Sequence, residues 1–194
     1  MRLNIPNLLT LLRILLIPVF VAVFYLPYDW LPPHTRNVVA TLIFAVAAVT
    51  DWLDGYLARS LNQTSAFGAF LDPVADKLMI AAALVVLVAL GRIEGIAALI
   101  IVGREIAVSA LREWMANLGR SKSVAVSFIG KLKTVSQMVA ILLLLYHDPL
   151  LRVVSAHALG TWLIWLAVVL TLVSMFYYLR KALPHVMAQD RGSP

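Results

Sequence analysis

Long apolar stretches alternate with short polar breaks along the whole chain, and this pattern predicts helices of membrane-spanning length. About 20 apolar residues are needed for a helix to cross the hydrocarbon core of a bilayer. Turn-forming segments such as "LPYDWLPPHT" and "ALGRIEG" separate the apolar stretches. The six predicted spans cover about residues 8–26, 38–59, 70–90, 93–114, 131–146 and 159–183. We therefore expect an all-α integral membrane protein with six transmembrane helices in a single domain, residues 1–194.

Composition agrees with a membrane protein and excludes several other classes. Of the 194 residues, 62% are hydrophobic and 13% are charged, whereas a soluble domain carries about 25% charged residues. Cysteine is absent, which excludes disulfides and thiolate metal sites. A net charge of +6 is also found in nucleic-acid-binding proteins, but in a membrane protein it more often reflects basic loops on one side. We expect no nucleic-acid partner.

The distribution of basic residues predicts which helix ends face the cytoplasm. If the amino terminus is cytoplasmic, most Lys and Arg residues fall on that side, and the opposite side carries only Arg36, Arg92 and Arg152. Loops rich in Lys and Arg remain in the cytoplasm. We therefore expect both termini, and the turn between the second and third helices, to be cytoplasmic.

Four aspartates lie beside that turn in a strongly apolar part of the chain. In "DWLDGYLARSLNQTSAFGAFLDPVADK", Asp51 and Asp54 are three residues apart and Asp72 and Asp76 are four apart. Each pair therefore shares one helical face, and we expect the two pairs to face each other across an antiparallel helix pair. Helix capping is an alternative explanation for Asp72 alone. It does not explain Asp51 and Asp54, which lie inside the second helix.

The clustered negative charge predicts a metal site. Carboxylates inside a membrane are costly and usually mark a functional site, and like charges in a low dielectric repel one another. Mg²⁺ prefers oxygen ligands and commonly binds carboxylates together with substrate phosphates. Two divalent ions about 3.5–4 Å apart form a known arrangement for displacement at phosphorus. We therefore predict two divalent cations, Mg²⁺ or Mn²⁺, bound by Asp51, Asp54, Asp72 and Asp76.

The spacing of the acidic and small residues in this segment also resembles a family signature. Their order is Asp51-x2-Asp54-Gly55-x2-Ala58-Arg59-x8-Gly68-x3-Asp72-x3-Asp76. This order is similar to the signature of the CDP-alcohol phosphotransferase family. The resemblance implies a six-helix membrane fold, usually homodimeric, with a two-metal site that opens to the cytoplasm. It also implies transfer of a phosphatidyl or similar group from a CDP-linked donor to an alcohol, with release of CMP.

The same resemblance implies a role for each residue of the signature. Asp76 corresponds to the residue that both contacts metal and acts as the general base on the acceptor hydroxyl. The small residues correspond to the positions that admit the cytidine nucleotide, and Arg59 to the basic position beside it. The small positions are Gly55, Ala58 and Gly68.

Three further segments resemble the bacterial phosphatidylglycerophosphate synthases within this family, namely "NIPNLLTLLRILLIP", "GREIAVSALR" and "GKLKTVSQ". This resemblance implies CDP-diacylglycerol as donor, sn-glycerol 3-phosphate as acceptor, and a place in the bacterial inner membrane. Arg104, Arg112 and Lys131 match positions that hold the acceptor phosphate, and Thr134 shares the helical face of Lys131. Arginine and lysine are chemically suited to that role.

Structural roles are the alternatives for the basic residues. Arg104 could pair with its neighbour Glu105 or with an aspartate, Arg112 could extend to lipid headgroups, and Lys131 and Lys133 could anchor a helix at the membrane surface. Each alternative satisfies the charge without any substrate.

The first helix carries a polar face that the apolar pattern does not explain. Asn7, Thr10 and Arg13 follow one another at helical spacing. A charge inside a span is costly unless it is paired. This face therefore either borders the nucleotide or has a purely packing role.

Other functions remain as alternatives. A transferase of the same family acting on inositol phosphate, phosphatidylglycerol or serine would share the aspartate signature. A more remote alternative is a divalent-cation transporter. Transporters often consist of two repeated halves, whereas the acidic residues here are confined to one hairpin.

Overall fold

Six α-helices account for nearly all of the chain that the computed structural model describes, which is residues 4–60, 66–117, 128–150 and 154–190. They are α1 (Ile5–Val23), α2 (Pro33–Ser60), α3 (Ala66–Ala89), α4 (Gly95–Asn117), α5 (Phe128–Tyr146) and α6 (Ala156–Asp190). The prediction of six helices is confirmed over these ranges. Two very short antiparallel strands, β1 (Pro149–Leu150) and β2 (Val154–Ser155), lie between α5 and α6 and were not predicted.

Several helices extend beyond the predicted spans because backbone hydrogen bonding continues into polar flanks. Helix α2 begins at Pro33, a residue favoured in the first helical turn because its missing N–H is not needed there. The hydroxyl of Ser155 accepts a hydrogen bond from the backbone N–H of Ala158 at 3.2 Å and so caps the start of α6. Gly91 has a φ of +66° and ends α3, as is typical of a residue just after a helix.

The helices pack as two groups that share one apolar core. Helix α1 packs against α2 and α3, while α6 packs against α4 and, most extensively, α5. The core is formed by large side chains from all six helices, including Phe20, Phe44, Leu84, Ile101, Leu144 and Ile164. Both groups therefore depend on the same buried apolar contacts.

Arginines connect the helices at the end of the bundle remote from the aspartates. Arg92 donates hydrogen bonds to two carbonyls in the last turn of α5, at 2.8 and 2.9 Å, and to the side-chain oxygen of Asn37 on α2 at 2.7 Å. Arg36 donates to the carbonyl of Leu26 at 2.5 Å. Carbonyls at a helix end lack helical partners and carry a partial negative charge. These arginines therefore satisfy carbonyls that would otherwise lack partners.

Large apolar side chains are exposed around the outside of the bundle. They include Leu15, Val49, Trp52, Phe70, Leu99, Trp162 and Phe176. Within the described ranges, Pro33–Asp54 and Ala156–Lys181 are long and apolar enough to cross a membrane, and Asn7–Val23 is a shorter apolar helix. An apolar exterior of this extent suits lipid rather than water, as expected for a membrane protein.

Helices α5 and α6 are in close contact at Gly160, which is buried. A methyl group at this position would lie 2.7 Å from Cγ of Leu144 and 3.3 Å from the carbonyl oxygen of Ala140. Both distances are shorter than ordinary contact between non-bonded atoms. The absence of a side chain at Gly160 is therefore required for this packing.

We expect Gly160→Ala to lower the free energy of unfolding by about 1–3 kcal/mol, because an added carbon in a packed interface forces the helices apart. Gly103→Ala is the matched control. A methyl group there meets open space, and replacing a helical glycine by alanine stabilises by about 0.5–1 kcal/mol. Thermal unfolding in detergent measures both effects. Equal melting temperatures for the two variants would contradict the prediction.

Candidate active site

Arg13 of α1 holds both aspartates of α2. Its Nη1 donates to Oδ1 of Asp51 at 2.5 Å, and its Nη2 donates to Oδ2 of Asp54. The Arg13 side chain is only 1% exposed, and that of Asp54 only 3%. Charges this deeply buried need a partner of opposite sign. The α1 arginine supplies that partner.

Thr10 connects the same helix to α3. Its hydroxyl oxygen lies 2.5 Å from Oδ1 of Asp72 and 3.5 Å from Oδ2 of Asp54, so its single proton is donated to Asp72. Thr10 and Arg13 are three residues apart and share one face of α1, on which Asn7 is also buried. The polar face of α1 therefore joins the acidic residues of α2 and α3.

Helix α1 contacts both aspartate pairs, and the predicted pairing of α2 with α3 did not include this helix. Helix α1 packs more extensively against both helices than they pack against each other. The reason is electrostatic, because α1 supplies a cation and a hydroxyl donor to carboxylates that would repel one another.

The carboxylates of the four aspartates are the candidate ligands for metal ions. In the part of the chain that the structure describes, no three acidic or histidine side chains are arranged so as to hold a metal ion. At α2, Arg13 contacts one oxygen of each carboxylate. By their chemistry the four carboxylates fit a hard divalent cation such as Mg²⁺ or Mn²⁺. A cation bound by Asp51 and Asp54 together would lie close to the positive charge of Arg13.

Asp76 lies between this acidic group and a second group of charged residues. It lines a small cavity with Arg13 and Asp51. Its carboxylate is repelled by Asp51 and Glu105 and attracted by Arg13 and Lys133. Asp76 is thus the acidic residue that connects the charges on α1 and α2 with those on α4 and α5.

The second group, the basic cluster, consists of Arg104, Glu105, Arg112, Lys133 and Tyr178. Lys133 donates to Oε1 of Glu105, and Nη1 of Arg104 lies 3.4 Å from the same oxygen. Lys133 and Arg104 are both buried. Glu105 therefore provides the counter-charge for two buried cations.

Helix α6 supports the two arginines of the basic cluster. Arg104 donates to the hydroxyl of Ser174 at 2.9 Å, and Arg112 donates to the hydroxyl of Tyr178 at 2.9 Å. The guanidinium carbons of Arg104 and Arg112 lie 5.7 and 5.0 Å from the centre of the buried Tyr178 ring, within the range of cation–π interaction. The Nε atoms of both arginines are buried and have no hydrogen-bond partner in the described structure.

A comparison with known protein families identifies a match over most of this chain. Residues 3–173 match the family model described as CDP-alcohol phosphatidyltransferase. The chain belongs to the CDP-alcohol phosphatidyltransferase family.

Three curated relatives of this CDP-alcohol phosphatidyltransferase bear the name CDP-diacylglycerol–glycerol-3-phosphate 3-phosphatidyltransferase. The protein of Escherichia coli (strain K12) is 52% identical over 191 residues, which cover 97% of this chain and 100% of the relative. Those of Salmonella typhimurium (strain LT2) and Pectobacterium atrosepticum are each 51% identical over 184 residues, or 94% of this chain and 96% of the relative.

The structure places the predicted donor-binding residues of this CDP-alcohol phosphatidyltransferase near the acidic group. Gly55, Ala58 and Arg59 continue α2 toward its end at Ser60, and their side chains lie outside the described residues. Gly68 is buried in α3, one turn before Asp72. The helix positions agree with the signature, while contacts with a nucleotide remain a prediction.

The two lysines near the start of α5 differ in exposure, and the acceptor role of Lys131 and Thr134 stays a prediction. Lys131 and Thr134 lie on the exposed face of the helix, where the Thr134 hydroxyl donates to the carbonyl of Gly130 at 3.0 Å. Lys133 is turned inward instead, because residues two apart point to nearly opposite sides of a helix. The sequence contains one indication that Lys133 faces inward. It lies four residues before Gln137, so the two polar side chains share a helical face, and Gln137 is also buried.

We expect Glu105→Gln to destabilise the protein by about 3–5 kcal/mol, because it leaves Lys133 and Arg104 buried without a counter-charge. Glu113→Gln is the matched control, since Glu113 is an exposed acidic residue on the same helix, and its replacement should change stability by no more than about 0.5 kcal/mol. Thermal unfolding of both purified variants tests this. A Glu105→Gln protein as stable as the control would show that Glu105 does not balance these cations.

Proposed function

We propose that this chain transfers the phosphatidyl group of CDP-diacylglycerol to sn-glycerol 3-phosphate, giving phosphatidylglycerophosphate and CMP. The names of relatives that are 51–52% identical over nearly the whole chain support this activity. The structural observation that carries it is the position of Asp76 between the acidic group and the basic cluster. A carboxylate in that position can serve a donor on one side and an anionic acceptor on the other.

Asp51, Asp54, Asp72 and Asp76 would hold two divalent cations, Mg²⁺ or Mn²⁺. When bound, such cations neutralise the pyrophosphate of the donor and stabilise the charge that develops on the leaving CMP. The oxygen-only donor set supports hard cations of this kind. Gly55, Ala58, Arg59 and Gly68 would accommodate the cytidine part of the donor.

Asp76 would act as the general base. The hydroxyl oxygen of the acceptor forms a bond to the phosphorus that carries diacylglycerol, and the pyrophosphate bond from that phosphorus to CMP breaks. The hydroxyl proton passes to the Asp76 carboxylate, and CMP leaves with the electron pair of the broken bond. The position of Asp76 between the acidic group and the basic cluster supports this role, because an ionised carboxylate there can accept the proton of a bound acceptor hydroxyl.

The basic cluster would bind the phosphate of the acceptor. Arg104 and Arg112 have unpartnered Nε atoms, and Lys133 is bonded to Glu105, so a phosphate could replace that carboxylate as the partner. Arginine binds phosphate through two parallel hydrogen bonds and lysine as a point charge. In this proposal Lys133 takes the role that the family resemblance gave to Lys131.

The chain would cross the bacterial inner membrane six times, with both termini and the active site on the cytoplasmic side, and would form a homodimer. The basic loops of the sequence support this orientation. It is also supported by the separation of Arg36 and Arg92, which lie at the end of the bundle remote from the aspartates. The lipid donor would enter laterally between helices, and glycerol 3-phosphate from the cytoplasm.

We expect purified protein with CDP-diacylglycerol and Mg²⁺ to release CMP only when glycerol 3-phosphate is added. Inositol 1-phosphate, inositol, serine and phosphatidylglycerol serve as the other acceptors in separate reactions. Asp76→Asn should abolish release, because the amide cannot accept the proton. Release with another acceptor alone would overturn the acceptor assignment, and full activity of Asp76→Asn would remove Asp76 as the base.

We expect Lys133→Met to raise the KM for glycerol 3-phosphate about 10- to 100-fold, since a hydrogen bond to a charged group contributes about 1.5–3 kcal/mol. Lys131→Met is the matched comparison, and because its side chain is exposed, its KM should change by less than about twofold. Initial rates at varied glycerol 3-phosphate measure both, with thermal unfolding as a check of folding. A raised KM only in Lys131→Met would restore the assignment implied by the family resemblance.

A further inference from the structure

Arg13 holds its two carboxylates in an unusual way. A guanidinium commonly places two parallel hydrogen bonds on a single carboxylate. Here Nη1 and Nη2 instead contact two different aspartates on α2, Asp51 and Asp54. The Nε atom is buried and has no hydrogen-bond partner among the described residues. The group is therefore positioned as one cation shared by two carboxylates, which is also how a bridging metal ion is bound.

The contacts of Arg13 place a positive charge beside both carboxylates of this pair. Asp54 is buried, with Arg13 on its Oδ2 atom and Thr10 at 3.5 Å from the same atom. Asp51 is 41% exposed, so only this member of the pair is open to solvent. A divalent ion that bridges Asp51 and Asp54 meets the positive charge of the guanidinium at the same two carboxylates, so the two cations repel each other and compete for this position. The greater charge of the divalent ion favours it in that competition.

We propose that Arg13 is an internal counter-ion that stabilises Asp51 and Asp54 while the site lacks divalent cations, and that binding of these cations displaces its guanidinium. The proposal rests on the proposed function, because it concerns the metal site of the transferase. Metal binding is then coupled to the position of the Arg13 side chain, because each affects the other. A cation that must first displace Arg13 binds more weakly than it would in the absence of the guanidinium.

Two measurable effects follow from this coupling. Without metal, removal of the Arg13 charge takes away the cation that contacts the buried Asp54, so the protein should unfold at lower temperature. With metal, the same variant should bind the cation more tightly, and its melting temperature should rise further as cation is added. A residue that merely helps to pack α1 would produce the first effect without the second.

The test compares Mn²⁺ binding by wild type, Arg13→Met and Arg13→Lys in detergent without lipid substrate, using electron paramagnetic resonance of the free ion. We expect Arg13→Met to bind Mn²⁺ about 5- to 150-fold more tightly than wild type, the usual range of coupling between linked sites. Arg13→Lys should give an intermediate affinity, because lysine keeps the charge but not the two-sided contact. It also keeps the proposal testable if Arg13→Met does not fold.

Arg36→Met is the matched control, since Arg36 is also a buried arginine but lies at the opposite end of the bundle. It should lower the melting temperature and leave Mn²⁺ affinity unchanged. Unchanged or weaker Mn²⁺ binding in both Arg13 variants would overturn the proposal, even if wild type releases CMP normally. Absence of Mn²⁺ binding in every variant would overturn the proposal together with the metal site of the proposed function. Tighter binding only in the Arg13 variants would support it.

Discussion

The cost of burying carboxylates controls the structure of this protein at its functional end. Asp54 is almost completely enclosed, and it is tolerated because Arg13 and Thr10 reach it from another helix. The same requirement positions α1, whose polar face would otherwise be unfavourable in an apolar bundle. The packing of the first three helices therefore depends on charge compensation as much as on the apolar core.

In the second half of the bundle, buried charges are also compensated, but the signs are reversed. There the buried charges are mainly positive, and Glu105 is the single acidic residue of the basic cluster that balances them. Asp76 lies where the two halves meet and responds to charges from both. A transferase that joins a nucleotide-activated lipid to an anionic alcohol needs such a division, because the acidic half suits metal ions and the basic half suits phosphate.

The sequence predicted the six helices and the identity of the acidic residues, because helical spacing and apolar length are local properties of the chain. It could not predict that α1 joins α2 to α3, because Thr10 and Asp72 are separated by 62 positions and only tertiary packing brings them together. Lys131 and Lys133 were also not distinguished, because the spacing of Lys133 with Gln137 was the one polar signal in this helix that favoured Lys133. The second half of α5 is apolar on every side, so periodicity did not show which face of that helix is buried.

The two ends of the bundle are held by bonds of different kinds, and this difference has a mechanical consequence. Arg92 binds mainly main-chain carbonyls, whose charge does not change when ions or substrates arrive. The opposite end is joined through ionisable side chains, whose attractions alter with each ion and phosphate that enters. We therefore expect the helices to separate more readily at the aspartate end than at the Arg92 end, because ions that enter between them weaken only the contacts between charged side chains.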